Sequence, residues 1–230
     1  MSKMKIAIQG ELGAYSHIAV EKLYKDVNIK TCATFEDTFK QAFNDPNCKI
    51  VIPIENSLAG RVADIHYLLP KYKLQIHGEY FLPVEHNLLG KPDATMEDIK
   101  YVRSHAQAIS QCQKIIAEKN FKPIISVDTA GSAKDLAQGK DKTIAAIASD
   151  LSAKMYNLKI LKKNIEDDSG NITRFLIMGK NIEQPDYNKS KKYITSCIFR
   201  VKSEPSALYK CLGGFATNQV NLTKLESFSV

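Results

Sequence analysis

The fold is decided by a short apolar run that ends abruptly in polar residues, Val51-Ile52-Pro53-Ile54-Glu55-Asn56-Ser57. Its β-branched residues are typical of a buried strand, and the acid, amide and hydroxyl that follow mark the end of that strand. A second stretch has the same composition in reverse order, because Asn171, Thr173 and Arg174 precede an apolar run at 175–178. Sites are commonly built where strands meet loops, so we expect both polar ends to face one cleft.

Outward from these strands, strand and helix patterns alternate, which predicts an α/β fold with parallel strands. Extended segments between residues 74 and 90, around Pro83, indicate a crossing into a second lobe. A second βα series follows over 101–156, and the segments at 158–161 and 175–178 bring the chain back. We therefore predict a two-lobed domain with a central cleft, as in periplasmic solute-binding proteins.

Local signals predict where several helices begin. Ser16 is a plausible N-cap for the first helix, and Ser104 with Gln107 forms a capping-box pattern before a helix over 106–118. The amide and hydroxyl of Asn56 and Ser57 either cap a following helix or, at its N-terminus, bind a carboxylate. Regular strand alternation puts Thr173 on the opposite face from Arg174.

Composition excludes several classes of function. The formal charge is +7, but the 32 basic residues are dispersed along the chain without the aromatic interleaving of a nucleic-acid surface. The five cysteines lack Cys-x-x-Cys spacing, and the histidines show no metal-ligand spacing, so we expect no metal. No secretory signal or membrane-spanning run is seen, and we expect a cytoplasmic protein.

Two further motifs accompany the two strand ends, namely Gly10-Glu11-Leu12-Gly13-Ala14-Tyr15-Ser16-His17 and Ser104-His105-Ala106-Gln107-Ala108. Together, and in this order, the four motifs closely resemble the prephenate dehydratase family from about Lys5 to Val230. The resemblance implies a catalytic domain at 4–180, with one lobe at about 4–75 and 160–180 and the other at about 76–159. It implies decarboxylative dehydration of prephenate to phenylpyruvate in phenylalanine biosynthesis, with no cofactor.

The resemblance also implies roles for individual residues. Thr173 is the expected hydrogen-bond donor to the leaving hydroxyl, Arg174 is the expected partner of a substrate carboxylate, and Phe175 is expected to pack against the substrate ring. Glu55 either orients arginines or assists a proton transfer. The other expected substrate-binding residues are Asn56, Ser57, Asn171, Ser16, Tyr15, Ser104, His105 and Gln107.

The C-terminal part of the chain has a different pattern. After a polar linker at 181–193, it predicts a strand at 194–201, a helix at 205–215 and a strand at 220–225. This order resembles the first half of a ferredoxin-like (ACT) α+β regulatory domain, at 194–230, and we expect that domain to be incomplete. An open sheet edge favours pairing between chains, so we expect a homodimer or homotetramer.

Phenylalanine is the effector that the resemblance implies. The family's sensing segments align with Ser206-Ala207-Leu208 and Glu226-Ser227-Phe228-Ser229, and both depart from the family pattern. We therefore do not expect feedback inhibition, although Ala207, Leu208, Glu226 and Ser227 are the residues that would carry it. Two other functions stay open: arogenate dehydratase, which is the same chemistry on an amine, and a non-catalytic carboxylate-binding or amino-acid-sensing protein.

Overall fold

The computed structural model of the chain describes residues 3–181 and 186–227, which fall into two units, 1–184 and 185–230. The strands are β1 (Lys5–Gln9), β2 (Asn28–Cys32), β3 (Cys48–Asn56), β4 (Gly60–Arg61), β5 (Gln75–Pro83), β6 (Asn87–Gly90), β7 (Tyr101–His105), β8 (Lys122–Ser126), β9 (Ile144–Ala148), β10 (Lys159–Lys162) and β11 (Ile172–Gly179). The helices are α1 (Tyr15–Leu23), α2 (Phe35–Asn44), α3 (Ala63–Tyr72), α4 (Ala106–Ser110), α5 (Gln113–Glu118), α6 (Thr129–Gln138), α7 (Asp150–Met155) and α8 (Ala207–Thr217).

The first unit contains two sheets, as the two-lobed prediction requires. The first sheet has the order β2-β1-β3-β11-β5, with β4 paired to β3. In it β1 is parallel to β2 and β3, whereas β11 is antiparallel to both β3 and β5. One apolar cluster lies against each face of this sheet, because the isoleucines of β3 alternate with residues that point to the other side.

The second sheet has the order β10-β6-β9-β7-β8. Its strands β7, β8 and β9 are parallel, and β6 and β10 run antiparallel to their neighbours. Two more apolar clusters cover its faces, so each sheet has a core of its own. The predicted α/β class and the division into two lobes are therefore confirmed.

The strand pairings place both crossings between the sheets later in the chain than the sequence predicted. Strand β5 belongs to the first sheet, so the first crossing comes after Pro83 and not near residue 75. Strand β10 pairs with β6 of the second sheet, so the return comes after Lys162 and not near residue 160. Strand propensity alone did not identify the partner strands, since pairing joins residues distant in sequence.

Three predicted helix signals were wrong. Helix α1 starts after Ala14, and Ser16 lies buried inside its first turn. Ser104 lies in β7, where its hydroxyl donates to the Ile147 carbonyl at 2.6 Å, and His105 is the N-cap of α4. The single helix predicted over 106–118 is interrupted between α4 and α5, because the backbone of Cys112 leaves the helical conformation.

The second unit, as far as it is described, contains one helix. Helix α8 confirms the helix predicted at 205–215, with its start at Ala207 and its end at Thr217. The strands predicted at 194–201 and 220–225 were wrong, because neither segment pairs with a strand among the described residues and a strand needs such a partner. Phe228 and Ser229 of the predicted sensing segment lie outside the described residues.

Within residues 3–181 and 186–227, none of the helices combines the length and the apolar character that crossing a membrane requires.

Candidate active site

The two polar strand ends lie side by side in the first sheet. Strands β3 and β11 are antiparallel, and their register sets Asn56 directly opposite Thr173. The loop before β11 adds Asn171, so the Asn56 side chain contacts both Asn171 and Thr173, which lie more than a hundred residues later in the sequence. Thr173 and Asn56 are each 9% exposed, and Asn171 is 1% exposed.

A turn after β3 fixes the orientation of the Asn56 carboxamide. The backbone amides of Leu58 and Ala59 donate to Asn56 Oδ1 at 3.0 and 2.9 Å. Backbone amides can only donate, so the atom that faces them must be the oxygen and the other atom of the carboxamide must be the nitrogen. The amide therefore caps a turn, and the helix cap considered for Asn56 and Ser57 was wrong.

The fixed orientation of Asn56 determines the hydrogen-bonding role of Thr173. Asn56 Nδ2 donates to Thr173 Oγ1 at 2.9 Å and to Asn171 Oδ1 at 2.5 Å. Since the threonine oxygen accepts from Asn56, its own proton points elsewhere. A hydroxyl held in this way can donate to a group other than Asn56 at the end of β11.

Further carboxamide hydrogen bonds connect these residues to helix α4 and to Gln111, which follows it. Asn171 Nδ2 donates to Gln111 Oε1 at 2.8 Å, and Gln107 Nε2 donates to Asn56 Oδ1 at 3.4 Å. We call Asn56, Gln107, Gln111, Asn171 and Thr173 the carboxamide network. It joins strand ends of the first sheet to α4 and to the residue that follows it.

A groove of about 670 Å³ opens beside this network. It lies between the turn after β3 and helix α4, and its lining is mainly apolar with a few amide, hydroxyl and imidazole groups. The lining residues are Leu58, Ala59, His105, Ala106, Gln107, Ser110 and Gln111. A groove with few polar groups beside buried carboxamides suits a small ring that carries anionic substituents.

His86, at the crossing between the sheets, extends the network to Tyr15. Its Nε2 lies 3.0 Å from Gln111 Oε1, and its Nδ1 lies 2.7 Å from the Tyr15 hydroxyl, which is also 2.8 Å from the Glu85 carbonyl. Burial lowers the pKa of His86 and raises the pKa of Tyr15 well above its ordinary value. Both groups are therefore neutral near pH 7.

Two residues with predicted substrate contacts lie elsewhere. Arg174 donates from Nε and Nη2 to Glu79 at 2.7 and 2.6 Å, on the strand face opposite Thr173, with its guanidinium near the Phe81 ring. Phe175 is 1% exposed in the apolar cluster on one face of the first sheet. The register of β11 shifts at a β-bulge between Arg174 and Phe175. Even with this shift, neither side chain lies beside Thr173.

Several other candidates have local structural contacts. The Ser57 hydroxyl donates to the Gly170 carbonyl at 2.9 Å and accepts from the Ile172 amide at 2.9 Å, so it joins the turn to the loop before β11. Ser16 and Ser104 are buried in the first and second lobes. Glu55 is partly buried and lies on β3 opposite Arg174 of β11. Its side chain points to the other face of the sheet from that of Asn56.

Sequence reasoning missed Gln111 and His86. Gln111 follows Gln107 by four residues, the spacing that brings two side chains to one helix face, and that repeat was the available signal. His86 stands in a short polar group after Pro83, just before the apolar residues of β6. A lone histidine there carries no metal spacing, and the described residues hold no group of three or more metal-ligating side chains.

A second contact joins the first sheet's loop at residues 10–13 to the second lobe. The hydroxyls of Ser149 and Ser152 both donate to the Gly13 carbonyl, at 2.6 and 3.0 Å, and the Tyr156 hydroxyl donates to the Leu12 carbonyl at 2.8 Å. We call this contact the Gly13 clasp. The loop therefore contacts α7 along its length, from the N-cap Ser149 to the C-cap Tyr156.

Comparison with known proteins identifies the family of this chain. The family described as prephenate dehydratase matches residues 6–183. The bifunctional N-acyl-homoserine lactone acylase/prephenate dehydratase of Komagataeibacter europaeus is 41% identical over 97% of this chain and 79% of its own length. Arogenate dehydratase/prephenate dehydratase 2 of Arabidopsis thaliana is 38% identical over 98% of this chain, which spans 59% of that relative.

A solved structure resembles the fold as a whole. Prephenate dehydratase from Arthrobacter aurescens, solved in complex with L-Phe, superposes with a TM-score of 0.88 and 24% identity, covering 98% of this chain and 76% of that chain. At this identity the likeness supports the fold, whereas the match over residues 6–183 and the relatives near 40% identity establish kinship. The chain belongs to the prephenate dehydratase family.

Proposed function

We propose that this chain catalyses the decarboxylative dehydration of prephenate to phenylpyruvate, as a carbon-oxygen lyase. In that reaction the bond to the ring carboxylate breaks, carbon dioxide leaves, and the electron pair enters the ring. The carbon-oxygen bond on the far side of the ring breaks, and the oxygen departs as hydroxide, which takes up a proton from solvent. Aromatisation drives the change, so the protein needs to orient the substrate and to assist the departing oxygen.

The observation that carries the proposal is the environment of the Thr173 hydroxyl. Because Asn56 donates to its oxygen, the threonine proton is available for a hydrogen bond to the departing oxygen of a bound substrate. Threonine is too weak an acid to release a proton near neutral pH, so it acts as a hydrogen-bond donor. Donors preset toward developing negative charge are worth about 3 to 4 kcal/mol each in related chemistry.

The groove supports binding of the anionic substrate. Gln111 Oε1 accepts from Asn171, and this leaves the Gln111 amino group available as a donor to a carboxylate. His105 and Ser110 also line the groove. Arg174 enters the proposal only as a support of β11 through its ion pair with Glu79, because that pair occupies the guanidinium group.

The principal alternative is arogenate, and the name of the Arabidopsis relative includes both substrates. Arogenate carries an amine where prephenate carries a keto group, and it gives phenylalanine directly. The third possibility, a non-catalytic carboxylate-binding or amino-acid-sensing protein, uses the same groove without turnover.

Incubating the purified protein with prephenate and, separately, with arogenate tests the three functions. We expect the ultraviolet absorption of phenylpyruvate to appear with prephenate. Faster formation of phenylalanine from arogenate would replace the proposed substrate. Binding of either compound without product would exclude an enzyme.

Three further expectations belong to this proposal. We propose a cytoplasmic location, a homodimer or homotetramer, and phenylalanine as the effector to be tested. The prephenate dehydratase of Arthrobacter aurescens was solved with L-Phe bound, which supports testing that amino acid. In this chain Ala207 and Leu208 begin α8, and Glu226 forms an ion pair with Lys224 at 3.3 Å. Light scattering with and without phenylalanine measures assembly and the response together.

A further inference from the structure

His86 is buried at the first crossing between the two sheets and is 2% exposed. Its imidazole lies behind the carboxamide network and does not line the groove. Both ring nitrogens have partners, Gln111 Oε1 on one side and the Tyr15 hydroxyl on the other. The ring of Tyr15 meets the imidazole edge to face, with centroids 5.6 Å apart.

The protonation of this imidazole follows from the turn after β3. The Leu58 and Ala59 amides fix the Asn56 oxygen, Asn56 Nδ2 fixes the Asn171 oxygen, and Asn171 Nδ2 fixes the Gln111 oxygen. The His86 nitrogen that faces Gln111 Oε1 must therefore donate. Neutral His86 then carries its proton on Nε2, and its Nδ1 is an acceptor that competes with the Glu85 carbonyl for the one proton of the Tyr15 hydroxyl.

Main-chain contacts with the loop at residues 165–167 hold His86 and Gln111 in position relative to each other. The Glu166 carboxylate accepts from the His86 amide at 2.8 Å, and the Ile165 amide donates to the His86 carbonyl at 2.8 Å. Two residues later, the Asp167 amide donates to the Gln111 carbonyl at 2.7 Å. One loop thus fixes the main chain of both residues, and the hydrogen bond from the imidazole fixes the remaining freedom of the Gln111 side chain.

We propose that His86 is a positioning residue, which keeps the Gln111 oxygen turned inward and the Gln111 amino group turned to the groove, where it donates to a substrate carboxylate. The inference rests on the proposed function for the identity of that carboxylate. Without the donated hydrogen bond, the Gln111 oxygen keeps only its contact with Asn171 Nδ2, so the carboxamide is held less firmly and its amino group is less well aimed at the carboxylate. His86 itself touches no substrate.

A matched pair of substitutions separates the two ring nitrogens. In His86→Gln the side-chain amide reaches the position of Nε2 and still donates to Gln111, whereas in His86→Asn it reaches only the position of Nδ1. We expect kcat/KM for prephenate to be about tenfold lower in His86→Asn than in His86→Gln, the value of one hydrogen bond. Equal kcat/KM in the two variants, with equal thermal stability, would overturn the proposal.

A double-mutant cycle asks whether His86 acts through Gln111. The same pair is made in a Gln111→Ala background, where the side chain to be positioned is absent. We expect the tenfold difference between the Asn and Gln variants to vanish there. A difference that persists would show that His86 acts by another route, and would overturn the proposal.

A spectroscopic measurement tests the geometry without turnover, so it remains decisive even where neither prephenate nor arogenate is consumed. Nitrogen-15 spectra should show neutral His86, assigned by its loss in His86→Gln, with the proton on Nε2. The side-chain NH2 signals of Gln111, assigned by their loss in Gln111→Ala, should shift in His86→Asn and change little in His86→Gln. A proton on Nδ1, or Gln111 signals that change in neither variant, would overturn the proposal. Absence of turnover in the unsubstituted protein would instead reject the proposed function.

Discussion

Two of the contacts between the lobes of the first unit, the carboxamide network and the Gly13 clasp, are built in opposite ways. In the carboxamide network, side chains contact side chains, and each donor sets the orientation of the next group. In the Gly13 clasp, side-chain hydroxyls of the second lobe donate to backbone carbonyls of the first, and no orientation is passed on. We infer that the network defines chemistry and that the clasp defines position. Substitutions should therefore separate turnover from stability.

The largest expected effect is on turnover, at the end of the network. We expect Thr173→Ala to lower kcat for prephenate by about a hundred- to a thousandfold, because the donor to the departing oxygen is lost. Thr173→Ser, which keeps the hydroxyl, is the matched control and should retain much more activity. Denaturant unfolding should find both variants folded. Near-normal turnover in Thr173→Ala would remove threonine from the mechanism.

The next expected effect is on stability, at the clasp. Gly13 has φ of +92°, and an added Cβ would lie 2.7 Å from Ser152 Oγ and 2.9 Å from Ser152 Cα. Gly13→Ala should lower the free energy of unfolding by about 2 to 4 kcal/mol, through backbone strain and overlap. Gly78→Ala is the control, since the nearest atom there would be 3.8 Å away and φ is ordinary.

The free energy of unfolding in denaturant and kcat per folded molecule are measured for both variants. A Gly13→Ala protein with unchanged stability would contradict the role given to the clasp. A Gly13→Ala protein that stays as stable as the Gly78→Ala control but loses kcat would show that the clasp contributes to chemistry, and the distinction between the two contacts would then fail.

The smallest expected effect is a pH dependence of stability that involves the network. Burial lowers the folded-state pKa of His86, and also those of His17 and His77, below the ordinary value of 6.5. The unfolded state then binds protons first, so stability is complete above pH 6.5 and decreases as pH falls below it. Tyr15 and Glu166 are the titratable groups that face His86, and Glu166 partly opposes the shift.

His86→Gln removes one of the three groups and should flatten the decrease between about pH 6.5 and 5, where carboxylates do not yet titrate. Free energies of unfolding at about pH 7.5, 6.5 and 5.5 for this variant and the unsubstituted protein provide the measurement. An identical slope in both proteins would mean that His86 is not held neutral in the folded state.

Much of the fold could be predicted from local sequence. The apolar runs of β3 and β11 and the polar residues at their ends predicted which strands bear the candidate site, because burial and strand propensity are local signals. The alternation rule also predicted that Thr173 and Arg174 point to opposite faces, as the Glu79 ion pair shows. These signals do not depend on distant partners.

The parts that sequence did not predict depend on long-range contacts. Gln111 becomes a site candidate only because Asn171 and His86 meet its side chain from two other segments. The N-cap pattern at Ser104 was misleading, since a strand partner at Ile147 takes its hydroxyl. In the second unit, the segments at 194–201 and 220–225 have strand-like composition but no strand partner among the described residues.

The central position of β11 has a consequence for the order in which the protein is made. Strands β3 and β5 do not pair with each other; each pairs with β11, which begins only at Ile172, after every strand of the second sheet has been synthesised. A nascent chain therefore completes the entire second sheet before the first can close. Thr173 arrives on that last strand, so a ribosome-bound or proteolysed fragment ending before it has neither a finished first sheet nor the Thr173 hydroxyl.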